Sequence, residues 1–403
     1  MGTSLELYVH IPFCMKKCKY CDFLSFPAEE KQQREYTQAL LREIAYYGKR
    51  MQSKRVSTIF IGGGTPSWLD EKLMLQILEA IHSNFTVEPD AEITMECNPG
   101  TLIKDKLRSY RQAGVNRLSI GLQSADDEEL KLLGRVHTFG QFLKTYEMAR
   151  EVGFTNINVD LMSCLPYQTA EKFLKTLKTV VRLKPEHISA YTLIIEEGTP
   201  FYEDYKGDVN RLQQGMPTAM LPDEEEAYRI YKTSQNYLKE MGYEQYEISN
   251  FARNGLVCRH NVGYWTRENY LGLGIGAASL LDNVRYSNTR DIYEYIKNSY
   301  QITEDPNEPG KCNLHESREM VSRKAQMEEF MFLGLRMKQG VTREEFERRF
   351  DMPIEGIYPE VLEHLKTEGL LEMSQGRIYL TDKGMDLGNY SMSQFLLSGE
   401  ELE

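Results

Sequence analysis

Three cysteines, Cys14, Cys18 and Cys21, stand at i, i+4 and i+7 in the stretch Cys14-Met15-Lys16-Lys17-Cys18-Lys19-Tyr20-Cys21. If the backbone there forms a loop, that spacing lets three thiols close on one inorganic centre. The count discriminates between centres. Structural zinc takes four ligands in a closed shell, whereas an iron–sulfur cube held by three thiolates keeps one iron open to a further ligand. A zinc knuckle needs a fourth donor, and the nearest in sequence, His10, falls on a predicted strand. Tyr20 and Phe23 flank the last cysteine; as shields from water they would tune a cluster's potential. Plain packing against a sheet explains the same two rings almost as well.

The other residues able to do chemistry stand where predicted strands end. Gly62-Gly63-Gly64-Thr65 follows a strand at 56–61, and glycines there allow close backbone approach to a ligand, or form a tight turn. Glu96, Gln123 and Asp160 each close a further apolar run, and Arg135 lies twelve residues after Gln123. Polar groups at successive strand ends point into one mouth if the strands are parallel.

The elements that must position them alternate regularly. Residues 5–11 alternate as a strand that Pro12 stops. A helix at 29–47 follows, then strand 56–61 and a helix at 70–82 capped by Asp70. Strand 91–97 precedes helix 102–113, strand 115–121 precedes helices 126–133 and 139–152, and strand 154–162 precedes helix 169–183. A sixth strand spans 187–194. Strand–helix alternation with short links predicts parallel strands and right-handed crossovers, here a partial (β/α)6 TIM-like barrel with one side open. A doubly wound sheet competes, but the first strand lacks the Gly-x-Gly-x-x-Gly turn.

Beyond the barrel, 198–221 reads as a polar loop and 223–241 as an amphipathic helix with an acidic first turn. The aromatic-dense segment 243–265 ends in His260-Asn261-Val262-Gly263-Tyr264-Trp265, and a glycine-rich stretch runs over 272–278. The expected division is a barrel with its extension over 1–300, a linker over 301–319, and a smaller winged-helix-like α+β domain over 320–403. The chain has 403 residues and a formal net charge of −12, which argues against nucleic acid as a partner. No apolar run approaches the ~20 residues of a spanning helix, and the N-terminus lacks a basic flank and apolar core. Seven cysteines without a secretion signal suit a reducing cytoplasm.

Cys-x3-Cys-x2-Cys after a first strand resembles the radical S-adenosylmethionine (SAM) superfamily. The frame Tyr8-Val9-His10-Ile11-Pro12-Phe13-Cys14, with Gly62-Gly63-Gly64-Thr65-Pro66, resembles its coproporphyrinogen III oxidase-like branch. The resemblance implies a [4Fe-4S] cluster on Cys14, Cys18 and Cys21, with SAM chelating the fourth iron. It assigns Gly62, Gly63, Gly64 and Thr65 to the SAM amino and carboxylate region. Glu96, Gln123 and Asp160 become contacts to SAM or a second ligand, and Arg135 becomes the SAM-carboxylate arginine. Tyr8, Tyr20 and Ala190 are carried over as cofactor contacts with less weight, since each also suits core or cluster packing.

Two branches separate on single positions. The dehydrogenases carry a fourth cysteine two residues after the third, where this chain has Phe23. His260-Asn261-x-x-Tyr264-Trp265 resembles the haem-chaperone branch of HemW-like proteins, in which an imidazole can ligate haem iron and two aromatic rings offer flat apolar surface. That branch implies haem binding through His260, Tyr264 and Trp265, with Cys258 as a second candidate ligand, and no coproporphyrinogen dehydrogenase activity. It implies a haem-acceptor protein as partner, with a respiratory, membrane-associated acceptor the expectation, and an electron donor such as flavodoxin or ferredoxin. The dehydrogenase and a purely structural cluster are the competing readings. The family's Gly-Leu-Pro after the fifth strand is replaced by Cys164-Leu165-Pro166, where a side chain would alter the backbone or fill space.

Overall fold

The computed structural model describes residues 4–306, 308 and 310–397. Six strand–helix units build its larger part: β1 (Ser4–Ile11), α1 (Glu30–Arg50), β2 (Arg55–Gly63), α2 (Glu71–Asn84), β3 (Thr86–Cys97), α3 (Lys104–Gln112), β4 (Arg117–Gln123), α4 (Asp127–Leu132), α5 (Phe139–Val152), β5 (Ile157–Ser163), α6 (Ala170–Val181) and β6 (His187–Thr192). All neighbours from β1 to β6 pair in parallel. The partial barrel expected from the alternation is therefore present. Side-chain oxygens start its helices: Asp70 accepts from two N–H groups of α2, and Thr138 with Gln141 forms a capping box on α5.

The period-2 pattern of each strand divides the fold. Leu5, Leu7, Val9 and Ile11 of β1 join Ile59, Ile61, Ile93, Met95, Leu118, Ile120, Val159 and Leu161 in one buried cluster beneath the helices. The alternate positions (Tyr8, Phe60, Glu96, Arg117, Ser119, Asn158, Asp160, Ser189 and Tyr191 among them) line the bore. The apolar core lies outside the barrel wall, and the bore is polar.

Two stretches differ from the expectation. Residues 198–221 were expected to be loop, yet α7 (Pro200–Gln213) forms there. Thr199 caps it, Pro200 occupies its first turn, and Phe201 and Tyr205, one turn apart, are buried beside Leu133, Met162 and Leu165. Gly207 and most of the polar residues that suggest a loop lie on its solvent face, while Gly198 and Gly215 flank it. After α8 (Glu224–Glu240), β7 (Glu244–Gln245) and β8 (Asn250–Ala252) extend the β6 edge antiparallel. Next come α9 (Arg259–Trp265), then β9 (Tyr270–Leu273), parallel to β1, followed by β10 (Ala278–Leu281), β11 (Val284–Asn288) and α10 (Ile292–Ser299). The second difference is β12 (His315–Met320), which falls within the stretch read as linker and pairs with β11. It completes a twelve-stranded sheet.

The C-terminal unit starts with α11 (Arg323–Gly334) and holds a separate core around Phe346, Phe350, Ile354 and Leu365. Its antiparallel sheet has the order β13 (Val341–Thr342), β15 (Arg377–Leu380), β14 (Leu371–Ser374). Arg267 Nε donates to Glu329 Oε2 at 2.7 Å, both largely buried, and ties this unit to the barrel extension. Among the described residues no helix is long and apolar enough to cross a membrane.

Candidate functional site

The three cysteines lie in the loop after β1, at the C-terminal end of the barrel, where parallel strands present their functional loops. Cys14, Cys18 and Cys21 line one cavity together with Tyr20, Gly63, Gly64, Thr65, Glu96, Gln123, Arg135 and Asp160. Most of the predicted site thus converges. Gly64 N–H donates to Ile11 O and Thr65 N–H to Phe13 O, both at 2.8 Å, which fastens the glycine run to the start of the cysteine loop. Glycine is required here: a Cβ on Gly64 would lie 2.9 Å from Phe13 O, and one on Gly62 3.0 Å from Glu96 Oε2. Gly63 has a φ of +111°, and its Cβ would meet the His10 ring at 2.5 Å.

Cys14 Sγ lies 3.3 Å from Thr65 Oγ1, and Thr65 Oγ1 accepts from Asn98 Nδ2 at 2.8 Å. Arg135 Nη1 is 3.6 Å from Cys18 Sγ, while its Nη2 donates to Asn98 Oδ1 at 2.7 Å and Gly121 O at 2.6 Å. Arg135 thus sets a fixed positive charge beside the Cys18 sulfur. Burial pushes the Cys14 and Cys21 thiols up, so a metal centre bound there would have to displace their protons. α7 braces the loop from outside: Phe201 N–H donates to Lys19 O, and the Tyr20 and Phe201 rings meet edge-on at 6.3 Å.

Two carboxylates face the cavity. Glu96 Oε2 accepts from Gly63 N–H at 3.1 Å, and enclosure, then the nearby Asp160, push its carboxyl up to about 8. Asp160 is also raised by burial, although Asn158 and Ser119 donate to it at 2.7 and 3.0 Å. Gln123 takes a left-handed φ of +72° and accepts from Tyr191 OH at 2.7 Å. Cys164, where the family pattern has glycine, likewise sits at φ +59°; the departure in sequence marks a left-handed position filled by a buried thiol.

Other predicted residues lie elsewhere. Ala190 falls between Ser189 and Tyr191 on β6, packs toward the outer core, and has its N–H bonded to Ser249 O. Tyr8 lines the bore below the mouth, its hydroxyl 3.0 Å from His10 Nδ1. His260 is 1% exposed, with Nδ1 2.7 Å from Thr58 Oγ1 and Nε2 2.9 Å from Tyr264 OH. Burial, with Arg117 nearby, lowers its pKa to about 3, and burial raises the Glu6 carboxyl, 3.8 Å away, to about 9. Both are neutral at pH 7, and neither imidazole nitrogen is available to an iron in this conformation. Cys258 is equally enclosed, 3.6 Å from Glu92 Oε1. Trp265 instead lines a cleft of about 450 Å³ against the C-terminal unit, with Phe330, Met337, Val341, Arg348 and Arg349. Its Nε1 has no hydrogen-bond partner among the described residues, and Arg336 stacks 4.2 Å over the ring.

Asn98, Arg117, Ser119, Asn158 and Tyr191 line the bore without having been singled out in the sequence. The signal was present: once Glu96 and Asp160 point inward, Asn158 and Thr94 must as well. The donor set also bears on the metal. Among the described residues no three His, Cys, Asp or Glu side chains gather as a single metal ion requires, and His10 is committed to Tyr8 and Leu24 O. Three thiols lining one cavity are the donor set that an iron–sulfur cube with one open iron takes, whereas a closed zinc site takes a fourth donor.

A partial parallel barrel with three thiols at its C-terminal mouth defines a protein of the radical SAM class. The Radical SAM superfamily pattern matches residues 8–180, and that of the HemN C-terminal domain matches residues 321–387. A protein from Bacillus subtilis named heme chaperone HemW is 36% identical over 390 residues, covering 96% of this chain and 98% of its own. The Escherichia coli protein of that name is 40% identical over 274 residues, covering 68% and 69%. A mitochondrial radical S-adenosyl methionine domain-containing protein 1 from mouse is 35% identical over 92% of this chain and 82% of its own. The solved structure of E. coli coproporphyrinogen III oxidase (HemN) superposes with a TM-score of 0.81 at 26% identity, covering 97% of this chain and 90% of its own. The chain belongs to the HemW family of the radical SAM superfamily.

Proposed function

We propose that this protein is a haem chaperone of the cytoplasm, which binds haem and passes it to an acceptor protein. In this reading Cys14, Cys18 and Cys21 hold a [4Fe-4S] cluster, and SAM occupies the mouth beside it. The residues present suit both groups. SAM bears a sulfonium, an ammonium and a carboxylate; Glu96 and Asp160 are enclosed carboxyls that a cation would relieve, and Arg135 has a buried Nε with no hydrogen-bond partner among the described residues. When bound, the cluster and SAM supply one-electron chemistry; the chain's own groups orient the ligand and set its charge. An electron donor such as flavodoxin or ferredoxin and a respiratory, membrane-associated acceptor complete the reading.

The observation that carries it is relatedness along nearly the whole chain to proteins named heme chaperones. Phe23, at the position of the dehydrogenases' fourth cysteine, supports it; its ring is 70% exposed at the cavity rim. Of the motif at 260–265, Trp265 offers the accessible face for haem, while His260 would have to give up two hydrogen bonds to reach iron. The HemN likeness keeps coproporphyrinogen oxidation as the second reading. Titration of the anaerobically reconstituted protein with hemin separates the two. A stoichiometric Soret complex, without conversion of coproporphyrinogen, is expected; conversion without a Soret complex overturns the chaperone reading.

A further inference from the structure

Below the mouth the bore continues into a second chamber of about 300 Å³, lined by Tyr8, Phe60, Arg117, Asn158, Ser189 and Asn261. Gly63, Glu96, Ser119 and Asp160 face both spaces. Most polar groups here are committed to one another. Asn158 donates to Ser119 and Asp160, and its Oδ1 lies within hydrogen-bond distance of His187 and Ser189. Two groups are not. Arg117 is 1% exposed, yet its Nε has no hydrogen-bond partner among the described residues, and its guanidinium has no ion pair among them. Asn261 faces the same chamber, and its side-chain amide is unbonded among the described residues.

Glu92 and Asp160 favour the charged guanidinium through space, but neither forms an ion pair with it. Glu92 accepts from the N–H groups of Arg259 and His260, and Asp160 accepts from Ser119 and Asn158. A guanidinium stays charged at every accessible pH, so one enclosed beside a cavity with no directly bonded carboxylate among the described residues can take an anion into its fork. Its planar fork matches a carboxylate. Tyr8 and Phe60, with ring centroids 6.4 Å apart, supply an apolar wall.

We propose that this chamber binds a small organic acid, its carboxylate held by Arg117 and the Asn261 amide and its body against Tyr8 and Phe60. The volume corresponds to roughly ten water molecules, so a ligand of about that many non-hydrogen atoms fits and a tetrapyrrole does not. The chamber shares no lining residue with the cleft at Trp265, and it gives the motif at 260–265 a second role. His260 stacks on Phe60 with centroids 5.3 Å apart and braces the wall, while Asn261 reaches into the chamber.

Calorimetric titration of the full-length reconstituted protein with benzoate, and with benzamide as its uncharged isostere, tests the site. Saturable 1:1 benzoate binding at least tenfold tighter than benzamide is expected. Arg117→Gln and, separately, Asn261→Ala should each weaken it tenfold or more while leaving iron content unchanged. Because Arg117 is enclosed, Asn261→Ala and anomalous diffraction from soaked 4-bromobenzoate keep the test sharp should Arg117→Gln misfold. Equal affinity for the two probes, no saturable benzoate binding, an unaffected Asn261→Ala variant, or bromine outside the chamber each overturns the proposal.

Discussion

Replacing Glu96 with glutamine should make the ligand-free protein more stable and a worse binder. The carboxyl ionises near 8 in the fold against 4.5 when free, chiefly because it is enclosed. An acid whose pKa is raised on folding holds its proton more tightly in the native state. Stability therefore falls as pH rises from about 4.5 to about 8 and is flat beyond. At pH 7 the unfolded chain gains about 1.36 × 2.5, or about 3 kcal/mol, by ionising this group. Glutamine keeps the acceptor for Gly63 N–H and removes that penalty. With an unfolding entropy of about 2.1 cal/mol/K per residue, a chain of this length has about 0.85 kcal/mol/K, so the gain is about 4 °C in Tm. The same arithmetic gives about 1 °C at pH 5 and about 5 °C at pH 8. Thermal melts of both proteins across that range check the slope, and calorimetry with SAM should show the variant binding roughly tenfold to a hundredfold more weakly, the worth of a charge-assisted hydrogen bond. A variant less stable than the parent at pH 8, or a Tm difference that does not grow with pH, refutes the reasoning.

His260→Ala removes a ring stacked on Phe60 and leaves the Thr58 and Tyr264 hydroxyls unpaired in a dry site. The expected loss is roughly 3–6 kcal/mol of stability, read by denaturant unfolding; an unchanged unfolding midpoint with an abolished hemin Soret band would assign the imidazole to iron instead. Gly63→Ala places a Cβ against the His10 ring at a left-handed φ and should cost about 1–3 kcal/mol, with SAM affinity falling alongside because Gly63 N–H anchors Glu96. Cys18→Ala with Cys21→Ala should abolish iron content and visible absorbance while the far-ultraviolet circular dichroism and hemin binding persist, since neither residue belongs to the buried core.

How much of this was legible in the chain depended on period. In β1, Leu5, Leu7, Val9 and Ile11 alternate with Glu6, Tyr8 and His10, and that alone identifies a strand with one apolar and one functional face. All six barrel strands and their order followed from the same reading, as did the mouth, because strand-end residues on parallel strands must converge. Residues 198–221 were misread because helix α7 is amphipathic with a mostly polar surface, and its two anchors, Phe201 and Tyr205, bury into a tertiary contact that local pattern does not reveal. β12 was missed for the related reason that it is an exposed edge strand, its burial set by pairing to β11 and not by its own hydrophobicity. His260 entered as a ligand only through the resemblance of its motif; its enclosure arises from α9 packing under β2, a contact over about two hundred residues that local pattern does not reveal.

The bore explains why such a barrel needs ligands. A closed eight-stranded barrel fills its interior with layers of branched apolar side chains and is stable empty. Here the inward positions are Tyr8, Phe60, Glu96, Arg117, Ser119, Asn158, Asp160 and Ser189, mostly polar, while the apolar residues at the alternate positions pack under the helices. Six strands leave a gap that cannot be packed dry, so α9 enters beneath β2, with the buried Glu6 and His260 both held neutral. Ionisable groups under strain from burial then concentrate at the two open levels: the raised carboxyls of Glu96 and Asp160 at the mouth, and below them Arg117, whose Nε has no hydrogen-bond partner among the described residues. A cation-bearing ligand above and an anion below would each relieve a different part of that strain, and binding one should strengthen binding of the other through the shared walls at Ser119 and Asp160.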